Sequence, residues 1–122
     1  MSQHFREILL VEDDPETLRM IAFLLRRSGY QVETAQTIAE AEPLLEATKV
    51  LISDIGLPDG NGWDLMARFK ATGGRCGIAI SGFGEENDLA RSRLVGFADH
   101  LVKPIDFDAL RASIEALESV RR

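Results

Sequence analysis

Five side chains that could bind a cation or react follow four short apolar runs of this sequence. Glu12 and Asp13 follow residues 8–11, Asp54 follows residues 50–52, Ser81 follows residues 77–80, and Lys103 follows residues 99–102. Two carboxylates about 4 Å apart repel each other by about 4 kcal/mol at an effective dielectric constant of 20, so three require a cation to stay ionised together. Because the set offers oxygen ligands and neither Cys nor His, it favours Mg²⁺ over zinc.

The same set favours a phosphoryl group as the second occupant. Mg²⁺ keeps several waters and commonly shares a phosphoryl oxygen, and Lys103 supplies a point charge that could pair with Asp54 at rest and with a phosphoryl group later. Each residue also has an ordinary explanation: acids cap helices or lie at helix starts, and Ser81 and Lys103 each precede a turn residue. The agreement of four strand ends favours a shared site.

The elements that would position these residues alternate regularly along the chain. Apolar runs predict strands over residues 8–11, 49–54 and 77–80. Weak alternation predicts a further strand over residues 30–35, and a short segment that is less apolar at its start predicts the last one over residues 99–102. Helical patterns follow each run: from Pro15 to residue 29, over 38–47, from 61 or 62, over 85–94, and after the predicted cap Asp106. Asp14 and Thr37 are predicted to cap the first two helices, and Pro43 to kink or shorten the second. Short connections favour right-handed β-α-β units, in which all strand ends share one edge of a parallel sheet.

Composition limits the remaining choices. A chain of 122 residues with 45% hydrophobic residues predicts one globular domain. A net charge of −6 disfavours direct nucleic-acid binding. Cys76 is the only cysteine, which excludes a disulfide framework and favours a reducing cytoplasm. No apolar run approaches the roughly 20 residues of a membrane span, and residues 1–7 lack the apolar core of a signal peptide.

Four motifs of this chain resemble those of the receiver domain of two-component response regulators. They are Leu-Val-Glu-Asp-Asp-Pro at 10–15, Ser-Asp-Ile-Gly-Leu-Pro-Asp-Gly at 53–60, Ile-Ser-Gly at 80–82 and Val-Lys-Pro at 102–104. The resemblance runs from residue 8 to the last helix and implies a single receiver domain over residues 1–122. It also implies an α/β fold: a (βα)₅ three-layer, doubly wound parallel sheet of flavodoxin-like type with strand order 2-1-3-4-5.

The resemblance further implies a role for each matching residue. Asp54 would accept a phosphoryl group from a phosphohistidine of a sensor histidine kinase or a histidine phosphotransfer domain, with Ser81 and Lys103 contacting that group. The implied Mg²⁺ ligands are Asp13, Asp54, the backbone carbonyl of Gly56, and Glu12 through water. Such a domain is a signalling module rather than an enzyme, although it assists its own phosphorylation and dephosphorylation.

Two positions depart from the commonest pattern of that family. His100 stands where Tyr or Phe more often acts as the switch residue, and an imidazole there is polar and titratable. Ser81 stands where Thr is more frequent. The resemblance implies that phosphorylation biases the face formed by the fourth helix, fifth strand and fifth helix. Residues 54–62 and 98–104 are similar to receivers of hybrid sensor histidine kinases. The sequence is equally compatible with a free-standing regulator, and also with a homodimer that forms on phosphorylation.

Three other functions are compatible with parts of the pattern. A Mg²⁺-dependent phosphohydrolase with an Asp nucleophile would need a cap or substrate pocket, for which 122 residues leave little room. A flavodoxin-like FMN binder would need a phosphate loop after the first strand, where the acids at 12–14 would repel the phosphate. A receiver-like module that only mediates protein contacts would not need the acids, Ser81 and Lys103.

Overall fold

A computed structural model describes residues 7–82 and 86–120, without the side chains of 86–88 and 118–120. The strands are β1 (Glu7–Val11), β2 (Gln31–Ala35), β3 (Val50–Asp54), β4 (Cys76–Ser81) and β5 (Asp99–Val102). The helices are α1 (Pro15–Arg27), α2 (Ile38–Ala41), α3 (Gly62–Ala71), α4 (Glu86–Val95) and α5 (Phe107–Val120). Glu85, the predicted start of the fourth helix, lies outside the described residues. No helix in the described ranges has the length and apolar character that crossing a membrane requires.

The five strands form one parallel sheet in the order β2-β1-β3-β4-β5, which confirms the predicted doubly wound topology. The register aligns Val11 with Ser53, and Asp54 with Ile80. Ser81 in turn pairs with Val102. The carboxyl ends of β1, β3, β4 and β5 therefore meet at one edge of the sheet, where the polar residues at or directly after each strand end are brought together.

Helices cover both faces of the sheet. On one face Leu10, Ile52 and other buried strand residues pack against α1 and α5. On the other face Leu9 and Leu51 pack against α2 and α3, where the ring of Phe69 is fully buried. Every residue of β3 and of β4 is buried, as expected for apolar strands in the interior of a parallel sheet that is covered on both faces.

Local sequence signals set most helix boundaries. The side chain of Asp14 accepts a hydrogen bond from the Thr17 amide at the start of α1, and Thr37 caps α2 in the same way. Helix α2 ends at Ala41, and a 3₁₀-helix, Glu42–Ala47, replaces the rest of the predicted helix. Pro43 explains the change, because it has no backbone N–H to donate within an α-helix.

A small antiparallel hairpin follows β3 and was not predicted from the sequence. Gly56–Leu57 pairs with Gly60–Asn61. In the connecting turn, the carboxylate of Asp59 accepts hydrogen bonds from the backbone amides of Ile38 (2.8 Å) and Ala39 (3.0 Å). These hydrogen bonds connect the hairpin after β3 to the first turn of α2.

Candidate functional site at the carboxyl edge of the sheet

Three carboxylates converge at the edge where β1 and β3 end. One oxygen atom from each of Glu12, Asp13 and Asp54 lies within 4.8 Å of the others. Glu12 is fully buried, Asp54 is 6% exposed, and Asp13 is exposed to solvent. The sequence placed these acids together from the strand ends alone, and the structure confirms that placement.

Lys103 brings the compensating charge from the end of β5. Its Nζ atom lies 2.8 Å from Oδ2 of Asp54 and 2.9 Å from Oε1 of Glu12. Burial by itself would lower the pKa of Lys103, but the hydrogen bond to Asp54 and the pairing with Glu12 outweigh that effect and raise the pKa above its ordinary value. The ammonium group is therefore charged at neutral pH and is held between two buried acids.

Glu12 has the environment of a cation ligand. Its Oε2 atom accepts a hydrogen bond from the backbone amide of Asp14 (2.9 Å), whereas its buried Oε1 atom has the ion pair with Lys103 but no donor in hydrogen-bonding geometry among the described residues. Burial raises the pKa of Glu12, and the charge of Asp54 acts in the same direction. An additional cation would satisfy the oxygen and favour its charged form. The residues present therefore fit Mg²⁺, a hard cation that takes oxygen ligands.

The backbone around Asp54 is fixed by close packing against the start of α3. The amide of Ile55 donates to Ile80 (2.8 Å), and the amide of Gly62 donates to the carbonyl of Ile55 (2.8 Å). A Cβ atom at Gly62 would lie only 2.4 Å from the carbonyl oxygen of Asp54. Gly62 thus allows α3 to approach the candidate phosphoacceptor, a function that the sequence analysis did not assign to it.

Ser81 joins this edge through the backbone and through an imidazole. The amide of Lys103 donates to the carbonyl oxygen of Ser81 (2.8 Å), and the buried Ser81 Oγ atom lies 2.8 Å from Nε2 of His100. His100 is half-buried, and its Nδ1 atom lies 2.8 Å from the hydroxyl of Ser92. The indole nitrogen of Trp63 donates to the same hydroxyl (2.9 Å).

The predicted residues thus form two groups joined through the backbone. Glu12, Asp13, Asp54 and Lys103 form the acidic crevice, while Ser81 and His100 lie beside it on the last two strands. Gly56 lies two residues after Asp54, at the start of the hairpin. Ser92 and Trp63 were missed, and no local pattern could have identified them, because they lie 29 residues apart and meet only in the folded chain.

A doubly wound parallel sheet with three acids and a lysine at its carboxyl edge defines the receiver class of signalling domains. The family model for the response regulator receiver domain matches residues 8–115. The chain belongs to this family. Receiver domains of response regulators are signalling modules that interact with histidine kinases or phosphotransfer proteins.

Several curated proteins are similar to this chain. The transcriptional regulatory protein GlrR of Escherichia coli K12 is 35% identical over 122 residues, which cover 97% of this chain and 28% of GlrR. The photosynthetic apparatus regulatory protein RegA of Cereibacter sphaeroides is 32% identical over 104 residues, which cover 83% of this chain and 56% of RegA. This chain therefore spans about half of RegA or less than a third of GlrR.

Solved structures show the same fold. A CheY-like receiver domain protein from Methanospirillum hungatei superimposes with a TM-score of 0.84 at 27% identity, covering 92% of each chain. The non-phosphorylated HemR receiver domain from Leptospira biflexa gives a TM-score of 0.83 at 30% identity, covering 91% of this chain and 92% of the other. These similarities confirm the receiver fold that the sequence motifs implied.

Proposed function

We propose that Asp54 is the phosphoacceptor of a two-component phosphorelay and takes its phosphoryl group from a phosphohistidine. The observation that carries this proposal is the position of the Lys103 ammonium, 2.8 Å from a carboxylate oxygen of Asp54, at an edge that also holds Glu12 and Asp13. A nucleophilic carboxylate, a cation for the transferred group and ligands for a divalent ion are the parts that phosphoryl transfer requires.

The reaction is an in-line displacement at phosphorus. An oxygen of Asp54 forms a bond to phosphorus while the P–N bond to the donor histidine breaks, and the electron pair of that bond returns to the imidazole. Lys103 offsets charge on the equatorial oxygens of the transferred group. Glu12, Asp13, Asp54 and the carbonyl of Gly56 would hold Mg²⁺, which supplies further charge neutralisation when bound.

The phosphorylated site would differ from the resting one mainly in charge. An acyl phosphate adds strong acceptor oxygens and up to about two negative charges. Lys103 can shift from the carboxylate to the phosphoryl group, and Ser81 can donate its hydroxyl to it. Both residues adjoin β5, so the change would bias the face of α4, β5 and α5 through His100. The sequence after β4 is Gly-Phe-Gly at 82–84, and we expect its two glycines to permit this movement. Phe83 and Gly84 lie outside the described residues.

The proposal also covers the setting of this domain. Residues 1–122 form one receiver domain, which works in the cytoplasm with a sensor histidine kinase or a histidine phosphotransfer domain as phosphodonor. The same site would serve a receiver within a hybrid sensor kinase and a free-standing regulator. The names of GlrR and RegA describe regulatory proteins, which supports a signalling role for this chain.

Acetyl phosphate, a small phosphodonor, tests the proposal directly. The chain is incubated with it in the presence of Mg²⁺ or EDTA, and the intact mass is measured. We expect one phosphoryl adduct with Mg²⁺, little with EDTA, none in Asp54→Asn, and a normal adduct in Asp64→Asn, which removes an exposed carboxylate from α3. An adduct that persists in Asp54→Asn would overturn the assignment, and steady turnover of small phosphate esters would favour a phosphohydrolase.

A further inference from the structure

A chain of hydrogen bonds leads from the acidic crevice to the surface between α3 and α4. Its four members are Ser81 on β4, His100 on β5, Ser92 on α4 and Trp63 on α3. The successive distances are 2.8 Å from Ser81 Oγ to His100 Nε2, 2.8 Å from His100 Nδ1 to Ser92 Oγ, and 2.9 Å from Ser92 Oγ to Trp63 Nε1. Both imidazole nitrogens thus have a serine hydroxyl as partner.

The sheet register and the burial of the middle residues hold this series of hydrogen bonds in place. His100 pairs with Ala79, two residues before Ser81, so the side chains of Ser81 and His100 project from the same face of the sheet. Ser92 is 1% exposed. At the outer end the guanidinium of the exposed Arg91 stacks 4.1 Å from the ring centroid of the half-buried Trp63, in cation–π geometry. Trp63 and Arg91 are therefore accessible to a partner.

The chemistry of the indole determines which group donates in each hydrogen bond of the series. An indole N–H can only donate, so Ser92 accepts from Trp63 and can use its own hydrogen toward Nδ1 of His100. A neutral imidazole that accepts at Nδ1 carries its proton at Nε2 and donates it to Ser81 Oγ. In this arrangement Ser81 can donate its own hydrogen to a phosphoryl oxygen on Asp54, and each hydrogen bond in the series polarises the next.

We propose that His100 is a positioning residue, which orients the Ser81 hydroxyl toward the phosphoryl group and couples it, through Ser92, to Trp63 and Arg91. This inference rests on the proposed function, because it requires a phosphoryl group at Asp54. It adds the α3–α4 surface to the parts of the domain that respond to phosphorylation. The other part is the expected face of α4, β5 and α5. When Ser81 turns to the phosphoryl group, the hydrogen bond at the Trp63 indole changes with it.

Trp63 is the only tryptophan of the chain, so its fluorescence reports on the outer end of the series. The probe is beryllium fluoride with Mg²⁺, a stable mimic of an aspartyl phosphate. We expect the emission of the wild-type chain to change on addition of both, but not in Asp54→Asn. His100→Phe, which keeps a ring of similar shape without nitrogen atoms, and Ser92→Ala should each abolish the change. Ser92→Thr, which restores a hydroxyl, should recover it.

A matched control removes a hydroxyl outside the series. Ser113→Ala on α5 breaks a hydrogen bond to Asp99, the neighbour of His100, and should leave the fluorescence response intact. Thermal unfolding checks that each variant is folded, and Ser92→Ala tests the inference by itself if His100→Phe does not fold. A full response in folded Ser92→Ala would overturn the inference.

Intact mass after acetyl phosphate treatment separates the two proposals. A wild-type chain that takes up the phosphoryl group without a fluorescence change would refute the coupling and leave the proposed function standing. A wild-type chain that takes up no phosphoryl group would refute the proposed function itself. We expect uptake in the wild type and also in Ser92→Ala, with the fluorescence response confined to the wild type, Ser92→Thr and Ser113→Ala.

Discussion

The ammonium group of Lys103 lies 2.8 Å from Oδ2 of Asp54, which joins the residue after β5 to the last residue of β3 across 49 positions of sequence. The same nitrogen lies 2.9 Å from Glu12. One lysine thus pairs with two buried acids, while Asp13 adds a third carboxylate within 4.8 Å. The crevice holds more negative than positive charge, and that imbalance underlies the first two predictions.

Replacing Asp13 should reveal repulsion among the acids and their attraction for Mg²⁺. In EDTA, Asp13→Asn should raise the free energy of unfolding by about 1 kcal/mol, a small value because Asp13 is exposed to water. At a Mg²⁺ concentration 100 times its dissociation constant, the wild type should gain about 2.7 kcal/mol, and the variant less. Urea unfolding in EDTA and in Mg²⁺ measures both effects. Equal stabilisation of both chains by Mg²⁺ would argue against Asp13 as a ligand.

Replacing Lys103 should have the opposite effect on stability. Lys103→Met leaves Glu12 and Asp54 without their common cation, so the free energy of unfolding in EDTA should fall by about 1–3 kcal/mol, with part of the loss recovered by Mg²⁺. Phosphorylation by acetyl phosphate should slow at least about tenfold, equivalent to 1.4 kcal/mol of transition-state stabilisation. Lys103→Arg is the matched variant, which keeps the positive charge but replaces the compact ammonium group with a planar guanidinium group. Unchanged stability and rate in Lys103→Met would contradict this account.

Gly62→Ala tests the approach of α3 to Asp54 by the sign of its effect. Helix propensity alone predicts stabilisation by up to about 1 kcal/mol. The added Cβ atom would instead meet the Asp54 carbonyl oxygen at 2.4 Å, a backbone atom that cannot turn away, so we expect destabilisation by about 1–3 kcal/mol. Gly56→Ala is the control, since its Cβ atom would meet nothing within 4 Å. Urea unfolding of the two variants provides the comparison, and a stabilised Gly62→Ala would show that the helix start can shift freely.

The contact between Asp59 and α2 should make stability depend on pH. Hydrogen bonds from the amides of Ile38 and Ala39 hold the pKa of Asp59 below its ordinary value of 3.8. A lowered native pKa means that the charged form stabilises the fold above pH 3.8 and that this contribution disappears as the pH falls through the native pKa. Asp59→Asn should therefore be less stable than the wild type at pH 7, with a difference that shrinks below pH 3.8.

Urea unfolding of both chains over this pH range measures the difference, in which the titration of most other groups cancels. Glu46→Gln, which removes an exposed carboxylate from the 3₁₀-helix, is the matched control for the loss of one surface charge. A stability difference for Asp59→Asn that does not change with pH would mean that its carboxylate does not stabilise α2.

Much of the architecture follows from local signals in the sequence. Short apolar or alternating runs, each followed by a segment with helical signals, are sufficient to predict alternating strands and helices, and the caps at Asp14 and Thr37 depend only on residues three positions away. The shortening of α2 at Pro43 is equally local. The strand order came from the family resemblance, because alternation by itself does not determine which strands are neighbours.

The sequence by itself determined which groups stand at the strand ends: two acids after β1, one at the end of β3, a hydroxyl after the apolar run of β4 and an amine after β5. Only the tertiary structure decided that Lys103 pairs with both Glu12 and Asp54, that Asp59 caps a helix 21 residues earlier, and that His100 connects Ser81 to Ser92. The reason is physical. Periodicity and capping act within a few residues, whereas these contacts form between side chains that approach only when the sheet register and the packing of α3 and α4 are complete.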